Sequence, residues 1–404
     1  MKSFFISSVL LMSTQVYASF PLGDTDNSWG VNVTPNKDGE LQLKLGTRLQ
    51  TITSHSMRND TVTGETETFQ DFSLRRTRFQ VQADYKEGIK FYMDVRNDKV
   101  NKGDSGEGDF NVGDAYIQVK NIFNTKGLHF KAFRAKVDVS RAETISSSKL
   151  NYLTRAAIAD EAANYVSHNR RANNFQLQGI FDKWYFQLVA GDGVEAGSFH
   201  DAKGEDLSSG DISSQNFMVG SKVRFYPITG YEDKSPTETY FGKGKHFSFG
   251  AGIFHTGGIK YQSASTNFEV DRTLINGEFS FHYKGLSFLS EYFKFKNVVQ
   301  DYSTSNRVLG DSDGYFAQVE YVMTEFHYLA PFFRYESWDR FNDAENFDQT
   351  STVAGINWYL RANKIRVGLF YQIEKYDSNI RSTNARGQIF DNNKQINLTT
   401  MWHY

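Results

Sequence analysis

The chain has 404 residues, among them 35 Phe and 22 Tyr but no Cys, and its mean hydropathy is -0.53. Its 45 basic and 47 acidic residues give a formal net charge of -2, so overall charge suggests no nucleic-acid partner. Without Cys, disulfides, thiolate metal sites and cysteine nucleophiles are excluded. A composition this aromatic and this polar predicts many half-exposed strands rather than one large buried core.

The first residues predict export. Lys2 precedes the apolar run FFISSVLLM, and Val16-Tyr17-Ala18 fits the pattern of a signal-peptidase site. We therefore predict a signal peptide at 1–18 and a periplasmic N-terminal segment at 19–40, followed by the main domain at 41–404. Beyond the N-terminus no run of eighteen apolar residues occurs, which excludes a transmembrane helix.

The stretch 72–98 predicts a hairpin that turns at Lys86-Glu87-Gly88. On its first strand, Arg76, Arg78, Gln80 and Gln82 alternate with Thr77, Phe79, Val81 and Ala83. A period of two places these sets on opposite faces, one charged and one apolar. A soluble sheet would also explain one such hairpin, so the choice depends on the rest of the chain.

The same alternation recurs along the main domain and predicts sixteen strands, with no convincing helical periodicity between them. The strands are predicted near 41–53, 72–85, 89–97, 112–120, 128–138, 174–181, 184–191, 216–226, 246–256, 271–283, 286–296, 314–322, 327–338, 350–361, 364–376 and 394–404. Strands of this length can cross a bilayer when tilted.

The predicted connections alternate between short turns and long polar loops, with 227–245 as the one long exception on the short side. This sorting is typical of outer-membrane barrels, which have short periplasmic turns and long outer loops. Unpaired strand edges are costly in lipid, so the sheet must close. We predict an all-β fold, a 16-stranded antiparallel transmembrane β-barrel in the bacterial outer membrane, in contact with its lipid.

Strand parity predicts an excess of basic side chains facing the interior of the barrel. Those that we propose to line the pore are Arg48, Arg76, Arg78, Lys90, Arg96, Lys136, Lys222 and Arg224. Basic rings in a confined channel favour anions, and Arg suits phosphate or carboxylate. The alternative is that Arg76 and Arg78 pair with acidic neighbours on adjacent strands and stiffen the wall. Both interpretations stay open, and each can hold for different residues.

The segment FRAKVDVSRAETISSSKLNYLTRA, residues 133–156, resembles the strand-to-loop stretch of the phosphate-selective porin O and P family. Lys136 matches the family's lysine, Glu143-Thr144 its acid-and-threonine step, and Arg155 its arginine. The family's glycine and Pro-Phe are absent, with Phe133 and Asp138-Val139 in their places. The terminal strand KQINLTTMWHY resembles the C-terminal recognition strand of outer-membrane proteins, with Tyr404 in place of the usual Phe.

This resemblance implies a homotrimeric barrel whose third outer loop, 139–173, folds inward and constricts the pore. It also implies that Lys136 and Arg141 lie near the constriction and contact anions together with Arg76 and Arg78. The expected function is a water-filled channel for passive diffusion of small hydrophilic solutes that prefers phosphate or other inorganic anions. We expect no enzymatic activity, no cofactor and no metal. The loop residues Arg170 and Arg171 are expected to be solvated.

Three alternatives remain at this stage. A general or carbohydrate porin would use lumen aromatics such as Tyr92, Tyr116 and Tyr185 as a sugar-binding track. An outer-membrane hydrolase would need a nucleophile motif, and none of the histidines lies in one. A surface adhesion protein would use the long acidic loops, for which no repeat argues.

Overall fold

A computed structural model describes most of the chain. The described residues are 30–33, 40–60, 64–86, 88–98, 110–167, 170–194, 201–204, 212–228, 237–262, 267–301, 308–380 and 390–403. The predicted signal peptide, most of the segment 19–40, and Tyr404 lie outside these ranges, so the predictions for them stay predictions.

The described residues form eighteen strands. They are β1 (Val31–Val33), β2 (Leu41–Asp60), β3 (Thr66–Tyr85), β4 (Ile89–Asn97), β5 (Asn111–Val119), β6 (Leu128–Arg134), β7 (Asn173–Phe181), β8 (Trp184–Gly191), β9 (Ile212–Ser214), β10 (Met218–Phe225), β11 (Lys245–Gln262), β12 (Asn267–Tyr283), β13 (Leu286–Val299), β14 (Leu309–Tyr321), β15 (Leu329–Asp339), β16 (Asp348–Arg361), β17 (Ile365–Tyr376) and β18 (Phe390–His403).

Sixteen of these strands close into one antiparallel barrel, as predicted. Each pairs with its sequence neighbour, except that β8 pairs directly with β10, and β18 returns to β2 with His403 opposite Arg48. The two short strands are additions to the wall. β1 pairs with β2 beyond the end of β18, with Val31 opposite Leu45, and β9 pairs with β11. Because the ladder is closed, the barrel presents no continuous free edge to lipid.

The strands are unequal in length, which the sequence did not predict. β4 to β8 and β10 have seven to nine residues each, whereas β2 and β3 have twenty. β6 ends at Arg134, not near 138 as predicted. Pro331 lies near the start of β15, opposite Ile356, while pairing with β14 begins one residue later at Phe332. We call the six short strands the low wall.

Alternate residues of each strand face opposite environments. On β11, Ile253 is exposed and Phe254 is fully buried, and on β17 the same holds for Leu369 and Phe370. The exposed set forms the apolar outer surface expected in lipid. The buried set therefore points into the interior of the barrel, which we call the lumen.

Two helices lie in the connection between β6 and β7, so the expectation of a chain without helices is wrong. They are α1 (Arg141–Thr144) and α2 (Ala157–Val166). Ser140 begins α1 by accepting a hydrogen bond from the backbone N–H of Glu143. Among the described residues, no helix has the length and apolarity needed to cross a membrane.

The described residues of this connection, 135–167 and 170–172, lie inside the barrel, and we call them the internal loop. Its helix α2 packs on lumen-facing side chains of β11 to β15. Its buried apolar residues include Ile158, Ala159, Ala162, Ala163, Tyr165 and Val166, and the wall contributes Phe254, Leu274, Phe293, Phe295, Phe316 and Trp338. On this side the lumen-facing wall is apolar because protein rather than water covers it.

Candidate pore lumen

A β-bulge on β3 turns Arg75 into the lumen. Gln50 of β2 lies opposite Arg76 and the next residue, Thr51, lies opposite Leu74, so Arg75 has no place in the ladder. Strict alternation would have placed Arg75 on the lipid side. Instead it is half-buried near Tyr152 and Arg155 of the internal loop. The bulge therefore adds a third arginine to the two that parity predicted on this strand.

Arg48 and Arg76 face the lumen, where parity placed them, and both donate hydrogen bonds to the internal loop. Arg48 donates to the hydroxyl of Ser147 at 2.9 Å, and Arg76 donates to the backbone carbonyl of Leu153 at 3.1 Å. Arg76 also donates to Gln50 at 2.8 Å. Among the described residues neither guanidinium forms an ion pair with a carboxylate.

Arg78 and Arg96 are also inward, but acidic neighbours neutralise them. Arg78 forms an ion pair with Asp98, and Arg96 lies 2.6 Å from Asp94 and 3.0 Å from Asp114. Burial disfavours the ionised form of Asp98, yet Arg78, Arg76 and Arg96 outweigh burial and lower the pKa of Asp98 to about 2. For these two arginines the contacts fit the wall-stiffening alternative.

Glu143 is the centre of the ion pairs within the internal loop. Its fully buried carboxylate lies 2.5 Å from Lys136, 3.3 Å from Arg155 and 3.5 Å from Arg170. Burial opposes ionisation of Glu143, but Arg170, Lys136 and Arg155 together hold its pKa well below the usual range. Lys136 thus lies within the internal loop and is engaged there by Glu143.

Arg170 and Arg171 are not solvated, contrary to expectation. Arg170 also lies 2.5 Å from Asp160, and Arg171 lies 2.7 Å from Asp114 of β5. Burial disfavours the charged form of Arg170, but Glu143 and Asp160 raise its pKa above the usual value. The sequence could not show this pairing because the partners come from distant positions that only the folded loop brings together.

Arg141 lies near the start of the internal loop. Lys222 and Arg224 of β10 lie next to that part of the loop. Lys222 lies 2.5 Å from Glu278, and Arg224 pairs with both Glu278 and Asp138. The backbone N–H of Arg141 donates to Glu278 at 3.2 Å. These contacts attach the loop to the wall at β10 and β12.

Lys90 and three lumen tyrosines lie on or beside the low wall. Lys90 is half-buried on β4, opposite Asp84 of β3. Tyr92 and Tyr116 lie opposite each other on β4 and β5, with their rings stacked at 5.2 Å, and Tyr185 of β8 donates a hydrogen bond to Gln187 at 3.2 Å. The tyrosines are therefore inward, as a carbohydrate track would require, but Tyr185 is itself engaged.

A cavity of about 390 Å³ lies between the internal loop and β15 to β17. Its charged lining is Arg155, Asp160, Glu161, Arg334, Glu336, Arg340 and Glu374. Glu336 accepts hydrogen bonds from the backbone N–H groups of Ala157 and Ile158 and so holds the start of α2. Arg334 donates to the backbone carbonyl of Thr154 at 2.8 Å and stacks over Tyr152 at 5.3 Å.

Comparison with known proteins identifies this architecture. Residues 49–235 match the family model described as phosphate-selective porin O and P. The chain is an outer-membrane β-barrel with the fold of a porin. The resemblance noted in the sequence is confirmed over those residues, and the barrel fold and the family indicate a channel rather than an enzyme.

Solved porin structures share the fold of this chain at low sequence identity. An anion-selective porin from Comamonas acidovorans is 12% identical, with a TM-score of 0.59 and coverage of 90% of this chain and 100% of that one. The outer membrane channel DcaP of Acinetobacter baumannii is 11% identical, at TM-score 0.60 over 93% and 100%. OmpF of Salmonella typhi, in complex with daunomycin, is 10% identical, at TM-score 0.57 over 93% and 100%. A search of curated proteins gave no match.

Two kinds of lumen residue in this barrel were not predicted from the sequence. Arg75 was missed because a bulge breaks the parity on which the assignment depended. Helix α2 was missed although a signal exists, since Ala159, Ala162, Ala163 and Val166 have the spacing of one helical face. Among the described residues, no cluster of three or more His, Asp or Glu is placed to hold a metal ion.

Proposed function

We propose that this porin is a channel for passive diffusion of small hydrophilic solutes that prefers anions, phosphate or other inorganic anions among them. One observation carries the proposal. Five lumen arginines form no ion pair with a carboxylate among the described residues. They are Arg48, Arg75, Arg76, Arg334 and Arg366.

Some carboxylates of the lumen are compensated by cations and others are not. Glu143 and Glu278 each contact two or more cations, whereas Glu320, Glu336 and Glu374 form no ion pair among the described residues and accept hydrogen bonds from neutral donors. Beside β2 and β3, Arg48, Arg75 and Arg76 have no ion-pair partner among the described residues, so a permeating ion meets positive charge there. Such charge lowers the barrier for anions and raises it for cations. The internal loop would narrow the path beside these arginines, as the family resemblance implies.

A general porin with weak ion preference is the second candidate. The cavity beside β15 to β17 favours it, because three arginines and four carboxylates line that space. If solutes pass mainly there, the net field is small and both signs of charge can permeate. The stacked pair Tyr92 and Tyr116 is the corresponding support for a carbohydrate porin.

We also propose that the protein is a homotrimer that associates through the low wall. With a rise of about 3.3 Å per residue and a tilt near 40°, strands of seven to nine residues span about 18–23 Å, less than the apolar band of about 25 Å. Large apolar side chains are nevertheless exposed there, including Phe175, Leu188 and Phe217. A neighbouring copy would cover this side better than lipid of ordinary thickness.

Reversal potentials across a planar bilayer test the ion preference. In a gradient of potassium chloride we expect a potential on the anion side, and added phosphate should reduce the chloride current by competition. A potential of zero would favour the general porin, and one on the cation side would defeat the proposal. Arg76→Gln should weaken the preference, whereas Arg134→Gln, on an exposed residue of β6, should not.

A further inference from the structure

The turn between β10 and β11 enters the barrel from the end where the other connections are short. Its described part runs over 226–228 and 237–244, and five of its residues are buried: Tyr226, Thr237, Glu238, Thr239 and Phe241. A turn in water would leave such residues exposed. The lumen beneath the internal loop is therefore occupied by a second segment, 237–241, which we call the inner segment.

The inner segment contacts both sides of the lumen. Tyr240 stacks on His282 of β12 with ring centroids 3.5 Å apart and an angle of 10°. Phe241 packs edge-on against Tyr359 of β16 at 5.0 Å, in a cluster that includes Val322 and Ala362. Because β12 and β16 are four strands apart in the barrel, the segment crosses part of the opening rather than lying along one strand.

The inner segment also holds the internal loop from below. The backbone N–H of Glu238 donates to the carbonyl of Lys149 at 3.1 Å, and the carboxylate of Glu238 accepts from the backbone N–H of Asn151. At a second point, Arg141 donates to the hydroxyl of Tyr240 at 3.1 Å. Each contact joins the segment to the part of the chain that runs through the lumen.

We propose that the inner segment is a second constriction of the pore and that Glu238 is a positioning residue for the internal loop. Tyr240 and Phe241 narrow the exit towards the short-turn end, and Glu238 fixes the height of residues 149–151. This inference rests on the proposed channel function. It concerns conductance and not ion preference, so the two can fail separately.

Single-channel conductance in symmetrical salt tests the proposal. Glu238→Ala removes the acceptor for the Asn151 N–H, and Phe241→Ala removes the ring on Tyr359, so each should raise the conductance by at least about 1.5-fold. Glu238→Gln keeps a carbonyl acceptor for that N–H and should not raise the conductance. Phe326→Ala, on an exposed ring in a turn at the same end, is the control and should change nothing.

A disulfide between positions 149 and 238 provides a second test, which does not depend only on the loss of the Glu238 side chain. The chain has no Cys, so Lys149→Cys with Glu238→Cys introduces the only pair, at backbones already joined by a hydrogen bond. Reduced, the variant should show the raised conductance of Glu238→Ala, and oxidised it should return to wild type, with Lys149→Cys alone unaffected by oxidation.

Two results would overturn the proposal. One is unchanged conductance in both alanine variants, in barrels whose heat-modifiable migration shows that they are folded. The other is a double-cysteine variant that does not form its disulfide or that conducts equally when oxidised and reduced. If the conductance changes as expected while the reversal potential shows no anion preference, the inner segment is a constriction but the proposed anion selectivity is wrong.

Discussion

The ammonium group of Lys136 lies 2.5 Å from a carboxylate oxygen of Glu143 and also donates to the backbone carbonyl of Glu143 at 3.0 Å. Lys136 is therefore neutralised, whereas Arg76 is not. We predict that Arg76→Gln lowers the anion-to-cation permeability ratio more than Lys136→Gln does. The Coulomb energy at about 4 Å in water is about 1 kcal/mol, which corresponds to a factor of about five for Arg76. Reversal potentials of the two variants check this, and equal shifts would contradict it.

Arg75 gives a separate prediction, because no sequence pattern placed it in the lumen. Arg75→Gln should reduce the anion preference by a factor similar to that of Arg76→Gln, since neither guanidinium forms an ion pair among the described residues, and Asp98 and Asp160 act on Arg75 only at longer range. The effect should shrink as salt increases, because mobile ions screen the charge. A permeability ratio equal to that of wild type at low salt would place Arg75 outside the ion path.

Glu143→Gln should destabilise the internal loop. The substitution leaves Lys136, Arg155 and Arg170 without their common partner, and removal of one member of a buried ion pair costs about 3 kcal/mol or more. Because the pKa of Glu143 is lowered on folding, its stabilisation is present above the ordinary carboxyl pKa and is lost as the pH falls towards the lowered value. Urea unfolding followed by tryptophan fluorescence at several pH values measures both effects.

Glu325 is the matched control for that experiment. It is an exposed glutamate in the turn between β14 and β15, and Glu325→Gln should leave the unfolding midpoint unchanged. A similar loss in both variants would mean that charge in general, and not the contacts of Glu143, supports the barrel.

Glu238 predicts a pH dependence opposite in sign to that of Glu143. Burial raises the pKa of Glu238, although the backbone N–H of Asn151 and the charges of Arg334 and Arg155 act to lower it. The carboxyl group of Glu320 also interacts with that of Glu238. A raised pKa means that docking of the inner segment is fully stabilised below the ordinary carboxyl value of about 4.3 and weakens as the pH rises through the raised value. Conductance should therefore fall as the solution is acidified.

Glu238→Gln cannot ionise, so its conductance should lose this part of the pH dependence and remain at the low, acid level. Recordings of both proteins between neutral and acid pH check the prediction. If the two profiles have the same shape, another group is responsible.

The low wall predicts where copies of the chain meet. Leu188→Ser should weaken the trimer by about 2 kcal/mol per protomer, because an apolar contact between subunits is lost. Leu369→Ser is the control, because Leu369 lies on the opposite wall and is 51% exposed, close to the 52% of Leu188. This substitution should leave the trimer intact. Native mass spectrometry at increasing detergent concentration distinguishes the two. Dissociation by Leu369→Ser alone would place the interface elsewhere.

The sequence predicted the barrel well because alternation is a local property. The alternation of apolar and polar residues along each strand shows which side chains face lipid. Arg48, Arg76, Arg78 and Arg96 could therefore be assigned to the correct face without knowledge of any partner. Closure followed from the cost of unpaired backbone groups in hydrocarbon. Neither inference required contacts between distant parts of the chain.

The contents of the lumen could not be predicted in the same way. Whether Arg78 is neutralised by Asp98, or Arg170 by Glu143, depends on a loop whose path no short pattern specifies. The exceptional length of the connection 227–245 was visible in the sequence, but its entry into the barrel depends on Tyr240 and Phe241 finding partners on strands far away in the chain.

The bulge at Arg75 has a practical consequence for any mutational scan of β3. Before it, odd-numbered side chains such as Ser73 point inward, and after it the even-numbered ones do. Tolerance to polar substitution along this strand should therefore jump by one position at residue 75. One extra residue in β3 places another guanidinium in the lumen without an additional strand. In a mutational scan the bulge would be visible as a shift of one residue in the alternating pattern of tolerance.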